Sequence, residues 1–390
     1  MRVLLVANPS NPDNSSSDSG VVFARTVGSA LQDAGHDVSY AGYQVELGRA
    51  GTTFELPTPK NKYEARHWVP WREIRDAIAS TTPDIVVANQ IEHAPAIRTA
   101  LTGTVGATRL VGYAHYLPFA LNDGRSRAVS PDPSLAGGGL GTANVYAFIA
   151  GLSACDEVFV HSRAAEGWVR RMLAWAGDAE LAHRLRVLPP PIDRQVVDVA
   201  RLHRSAAPTA SASVLYNHRL YEHYGTGSFV EVVRSAPDVH FTVCDPIGRR
   251  SADRHSLDSS PGQYARLLAA EPNVLYRPDD GVRANYLETV RYARAAVAAD
   301  RSFCPWSMSS VECMYLGVPV VGDRRHEWYR EMFPEQLLYD GPTEAAALIR
   351  DLVHDDGLWG AMSAAVRQRA SAHSDSAFVD HLVEHVESVR

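Results

Sequence analysis

The sequence predicts an α/β protein built from two doubly wound, Rossmann-like domains facing a cleft. Three observations predict it. At 390 residues the chain is too long for one compact domain and about right for two. Short apolar runs alternate with helix-length stretches through the first half, and the alternation starts afresh in the second. Between the two series, residues 198–213 are rich in Ala, Ser and Arg and lack a strand pattern, which marks a boundary.

Residues 3–7, an apolar run ahead of Asn8 and Pro9, read as a first buried strand. The run is too short for the core of a secretory leader, and no run approaches the roughly 18 apolar residues of a membrane span. A cytoplasmic location is therefore expected. Residues 19–34 read as a helix ended by Gly35, and 37–40 as the next strand. Runs at 84–88, 109–113, 157–161 and 186–188 complete the first series, which closes at Pro189-Pro190-Pro191. The second series has runs at 213–217, 240–244, 273–276, 295–299 and 318–321. Strands separated by helices imply right-handed crossovers and parallel sheets covered on both faces. The expected domains are residues 1–200 and 201–374, with a closing helix at 375–390 packing back on the first. Ligands of such folds bind beyond the carboxyl ends of the strands.

Composition narrows the function. Hydrophobic residues make up 45% and charged residues 21%, enough for sizeable cores. The formal charge of −7 disfavours duplex nucleic acid as a partner, since phosphate neutralisation needs clustered Lys and Arg. The cysteines Cys155, Cys244, Cys304 and Cys313 have no zinc or redox spacing and read as buried free thiols. The Asp279-Asp280 pair reads as a solvated turn rather than a metal site, so no metal and no bound cofactor are expected.

The most informative stretch is RSFCPWSMSSVECMYLGVPVVG, residues 301–322. It reads as a loop, a short helix from about Ser310 to Leu316, a glycine cap and a buried strand. Ser309 with Glu312 three residues on fits a capping box. The helix would begin at the carboxyl end of the 295–299 strand, where unbonded N–H groups and the helix dipole favour a diphosphate. Glu312, one turn in, is placed to accept hydrogen bonds from two ribose hydroxyls; the alternative is that it only caps its own helix.

A Glu on a short helix followed by M-x-x-G-x-P-V-V resembles the donor-binding signature of retaining glycosyltransferases of family 4, which have the GT-B fold. The family's helix begins at an E-G-F-G turn and carries two glutamates separated by seven residues. The second matches Glu312, and the first falls on Cys304, with the turn read here as Cys304-Pro305-Trp306-Ser307. The segment YNHRLYEHYGTGSF, residues 216–229, resembles the family's R-L-x-x-x-K-G loop, which presents cations to the diphosphate. Arg219, Leu220 and Gly225 match, and Tyr224 stands at the Lys position. A guanidinium binds phosphate oxygens in bidentate fashion, whereas a Tyr hydroxyl donates one neutral bond, so more of the diphosphate falls to Arg219 and the helix terminus. His218 and His223 are candidate helpers. Gly20 opens the first helix as the family's N-terminal glycine does, and His115, just past a buried strand, matches the histidine that faces the donor sugar.

The resemblance implies transfer of a sugar from a nucleotide-diphosphate sugar to a hydroxyl of a small-molecule or glycan acceptor. It implies retention by front-face attack, with the leaving phosphate taking the proton, and no metal. Residues 8–22 contain no His to serve as the base of an inverting enzyme, which leaves Asp13 and Asp18 as the candidate bases for inversion. His115, Arg219 and Glu312 are the expected catalytic residues. Gly20, Arg219, Tyr224, Cys304, Trp306, Ser307, Met308, Ser309 and Glu312 are the expected donor contacts. The acceptor is expected in the first domain, at Glu92, His93, His115 and Tyr116, with the glycine-rich insertion 121–143 as a lid. The rivals are a non-catalytic GT-B paralogue that binds a nucleotide or a partner, motivated by Cys304 and Tyr224, and a sugar-nucleotide epimerase of the same fold.

Overall fold

The structure is a computed structural model that describes residues 1–7, 19–42, 51–60, 62–103, 108–121, 129–131, 141–202, 213–245, 259–278, 280, 282–300 and 305–387. Cys304, Asp279 and most of the 121–143 insertion lie outside the described residues. The chain divides into two compact units, Met1–Asp193 with His373–Arg390, and Arg194–Ala372. The division falls ahead of a helix, Arg194–Leu202, inside which the boundary expected from the sequence lies.

In the first unit the elements run β1 (Arg2–Ala7), α1 (Ser19–Asp33), β2 (Asp37–Gly42), β3 (Thr53–Glu55), α2 (Lys62–His67), α3 (Trp71–Thr81), β4 (Ile85–Ala88), α4 (Ala94–Leu101) and β5 (Arg109–Ala114). A two-stranded hairpin, β6 (Phe119–Leu121) and β7 (Val129–Pro131), precedes α5 (Gly141–Ala154), β8 (Glu157–Val160), α6 (Arg163–Ala176) and β9 (Leu185–Val187). Seven strands form one parallel sheet in the order β3-β2-β1-β4-β5-β8-β9. Its strands are apolar in consecutive positions because helices cover both faces. Leu4, Val6, Val86 and Ala88 face one core, and Val3, Leu5, Ile85 and Val87 face the other. The termini of the helices follow their sequence signals. Ser162 caps α6 by accepting from the N–H of Ala165 at 3.0 Å, and Gly177 closes it in the left-handed conformation.

The second unit runs α7 (Arg194–Leu202), β10 (Ser213–Tyr216), α8 (Thr226–Ser235), β11 (His240–Asp245), α9 (Ser260–Ala270), β12 (Val274–Pro278), α10 (Arg283–Arg291), β13 (Ala295–Val297), α11 (Met308–Tyr315) and β14 (Val320–Asp323). It continues through α12 (Glu327–Met332), β15 (Leu338–Tyr339), α13 (Pro342–His354) and α14 (Asp356–Ala370). Its parallel sheet has the order β12-β11-β10-β13-β14-β15, a doubly wound arrangement that reverses between β10 and β13. The closing helix, α15 (Asp375–Glu387), returns to the first unit, where Phe378, Val379 and Leu382 join the core that α1 covers. Among the described residues no helix is long and apolar enough to cross a membrane.

Candidate active site

In the second unit the segments leaving β10 and β13 stand at the point where the strand order reverses. Asn217, His218 and Arg219 follow β10; residues 298–300 follow β13, and the chain then enters α11. Ser307, in an extended conformation, caps that helix, its Oγ accepting from the N–H of Ser310 at 3.3 Å. This corrects the capping box expected from Ser309 and Glu312. The helix starts earlier than its apolar pattern indicates, so Ser310 takes the third helical position and Glu312 lies too far along to reach back. The N–H groups of Met308 and Ser309 precede the first intrahelical bond, made by Val311 to the Ser307 carbonyl at 3.2 Å. Ser309 Oγ lies 3.1 Å from Ser307 Oγ and 3.3 Å from Nδ1 of the buried His218, so a hydroxyl chain links the helix terminus to the loop after β10.

Glu312 is 2% exposed, and its carboxylate is held from α10. Arg283 reaches it with both terminal nitrogens, at 2.5 and 3.3 Å, and Tyr286 donates its hydroxyl at 2.9 Å. Asn217 donates in turn to the Tyr286 oxygen at 2.9 Å. Burial, and then the Glu312 charge, push the Tyr286 phenol well above its ordinary range, so it stays a donor. Neither Arg283 nor Tyr286 stands out in the sequence, because they reach Glu312 from a different element through the fold.

Arg219 is exposed, and Tyr224 is half-buried beside His223 and Tyr221. Gly225, at φ +68°, ends this loop, and a Cβ there would lie 2.4 Å from that of Asp300, so only glycine lets the loop lie against the segment after β13. Burial and the nearby Asp323 raise the Asp300 carboxyl, and Arg325 grips Asp323 through two nitrogens. Trp306 turns its ring edge-on to Trp328, centroids 5.8 Å apart, and so packs against the core; Met308 is half-buried. Asp280 precedes α10, accepting from the N–H of Val282 at 2.8 Å and from the Asn285 side chain at 2.7 Å.

In the first unit a second cluster forms where β1, β4 and β5 end. Asn89 follows β4, donates from Nδ2 to the Gly20 carbonyl at 3.0 Å, and meets Nε2 of His115 with its Oδ1. The His115 ring packs edge-on to Phe23 and against Tyr113, and burial pulls its pKa down to about 3. Gly20 and His115 are thus brought together, through an asparagine that their sequence spacing does not reveal.

The next residues carry the polar cluster expected to meet the acceptor. The Glu92 side chain is enclosed and bound by Arg66 at 2.8 Å and by Gln90. The Arg66 guanidinium lies 4.6 Å over the Tyr116 ring, which joins Glu92 to Tyr116 through a residue of α2. His67, next in α2, is 2.5 Å from Asn144 of α5. His93 is only 1% exposed, its pKa lowered to about 4 by burial, and its Nε2 has no partner among the described residues.

No protein-family model and no curated protein matches the sequence. Solved structures do match. Sucrose-phosphate synthase from Thermosynechococcus elongatus is similar with a TM-score of 0.72 over 100% of both chains, at 16% identity. HepE of Anabaena in complex with UDP gives 0.67 over 100% of both chains at 14%. A glycosyltransferase from Rickettsia africae ESF-5 gives 0.66 over 100% of this chain and 98% of that one, at 12%. The fold is GT-B. At such identities the likeness is one of architecture, consistent with two parallel, doubly wound sheets.

Proposed function

We propose that the chain is a glycosyltransferase that moves a sugar from a nucleotide-diphosphate sugar to a hydroxyl of a small-molecule or glycan acceptor, with retention and without metal. The observation that carries this reading is α11. Its N-terminus, where the N–H groups of Met308 and Ser309 precede the first intrahelical bond, stands where the strand order of the second sheet reverses, and a buried Glu312 lies on the same helix. HepE of the same fold has been solved with UDP and with UDP-glucose.

In this reading the second unit binds the donor. The diphosphate lies on the α11 terminus with Arg219 as its cation, and Glu312 accepts from a ribose hydroxyl while Arg283 and Tyr286 hold it in place. The first unit offers His115 to a substrate hydroxyl, and the Arg66–Glu92–Tyr116 cluster to the acceptor. Retention and the front-face course follow the resemblance of residues 301–322 and 216–229 to family 4. In that course the C1–phosphate bond breaks as the C1–O bond to the acceptor forms on the same face. The acceptor proton goes to the departing β-phosphate oxygen, so the residues supply position and charge stabilisation rather than a base. A cytoplasmic setting belongs to the same proposal.

One observation favours a second reading. The Arg283 grip on Glu312 occupies the carboxylate expected to receive the ribose, as would suit a GT-B paralogue that no longer turns over. Thermal shift against UDP, GDP, dTDP and ADP, each with and without EDTA, tests both. Stabilisation by several degrees with one nucleoside diphosphate, unchanged by EDTA, is expected. No response to any of the four would overturn the donor site, and a response abolished by EDTA would overturn metal independence.

A further inference from the structure

Asn89 touches two residues whose chemistry fixes which way its amide points. The Gly20 carbonyl oxygen can only accept, so the amide atom 3.0 Å from it is the nitrogen, donating. The other end, Oδ1, faces Nε2 of His115 and can only accept, so Nε2 carries the proton. Asn89 is itself fixed: it is buried, and its N–H bonds the Val6 carbonyl of β1 at 3.1 Å. Enclosure by Phe23 and Tyr113 keeps the imidazole neutral at physiological pH. A neutral ring with its one proton on Nε2 has a lone pair on Nδ1.

We propose that Asn89 is a positioning residue that locks His115 in the Nε2–H tautomer, so that His115 presents Nδ1 to substrate as a hydrogen-bond acceptor. This rests on the transferase reading for its substrate and refines it. The group that Nδ1 takes is a hydroxyl, from the donor sugar or from the acceptor. An imidazole so locked does not donate from Nδ1 to the leaving phosphate. The cost of switching is built into the site, because a proton on Nδ1 would leave Nε2 and the Asn89 oxygen facing each other as two acceptors.

The first test needs no substrate. In protein labelled with nitrogen-15 at histidine, His115 is expected to show a protonated Nε2 and an unprotonated Nδ1 at pH 7. Finding the proton on Nδ1 would overturn the proposal. Asn89→Asp keeps an acceptor for Nε2–H, loses the bond to Gly20 and adds a negative charge that favours protonation of the ring, so Nε2 is expected to stay protonated. Asn89→Leu removes it and is expected to give a mixture, with kcat lowered about tenfold or more. An Asn89→Leu protein that keeps both the tautomer and kcat would overturn the role of Asn89; if that variant does not fold, the wild-type and Asn89→Asp spectra still decide. His115→Ala separates the two hydroxyl sources: a raised KM for the sugar nucleotide at unchanged nucleoside-diphosphate affinity marks the donor sugar, and a raised KM for the acceptor marks the acceptor. No change in either KM or in kcat would sink the proposed contact. A wild-type protein with the expected tautomer but no transfer activity would instead count against the transferase reading alone.

Discussion

Glu312 concentrates the chemistry of the second unit in one carboxylate, and its neighbours define what it can still do. Arg283 and Tyr286 together supply three donors, while a carboxylate offers about four lone-pair positions, so capacity remains for a ribose hydroxyl. A hydrogen bond to a charged group contributes about 1.5–3 kcal/mol. If Glu312 receives the ribose, whichever ribonucleoside diphosphate stabilises the protein should bind roughly tenfold or more tightly than its 2′-deoxy analogue in the wild type. Glu312→Gln should shrink that ratio towards one. Calorimetric titration of both nucleotides into both proteins decides the matter, and an unchanged ratio would place the ribose elsewhere. Glu312 was legible in the sequence because its motif is local. Arg283, Tyr286 and Asn89 were not, because each acts on a residue that only the folding of the sheets brings near.

At the scale of the element, α11 shows how a local reading can find the helix and miss its first turn. The pattern placed the start near Ser310, and the structure places it at Met308 with Ser307 as cap. Three serines in close sequence, Ser307, Ser309 and Ser310, are degenerate as signals, and the extended backbone at Ser307 breaks the tie. The consequence is measurable. Ser307→Ala should destabilise the protein by about 1 kcal/mol, within the usual range of about 0.5–2 for losing an N-cap, and Ser309→Ala by clearly less. Urea denaturation of both variants gives the comparison, and equal losses would restore Ser309 as the cap. The strands were read more securely, since the buried runs of β1, β4, β5 and β8 need no partner to be recognised. The short strands β3, β6, β7 and β15 escaped notice because two or three residues carry no period; pairing with a neighbour is what makes them strands.

For the molecule as a whole, the first unit keeps buried histidines that the fold holds neutral, and this ties its stability to pH. His93 is 1% exposed and His373 2% exposed, and burial lowers each pKa to about 4. His373 lies where the chain returns to the first unit: its Nδ1 bonds the Pro190 carbonyl at 2.9 Å, and its own carbonyl accepts from the N–H of Ile192 at 2.7 Å. The unfolded chain takes up protons as pH falls through about 6.5, while the folded chain takes them up only near 4. Stability contributed by the neutral rings is therefore complete above the unfolded value and is lost progressively down to the folded one. At pH 5 the loss is roughly 2 kcal/mol for each histidine. Urea unfolding at pH 7 and pH 5 should show this decline in the wild type. His373→Gln, which keeps an amide N–H for Pro190 and removes one titrating ring, should start less stable at pH 7 and lose about 2 kcal/mol less on acidification. Parallel losses in the two proteins would mean that His373 becomes protonated without opening the fold, and that this closing contact is not where the first unit senses acid.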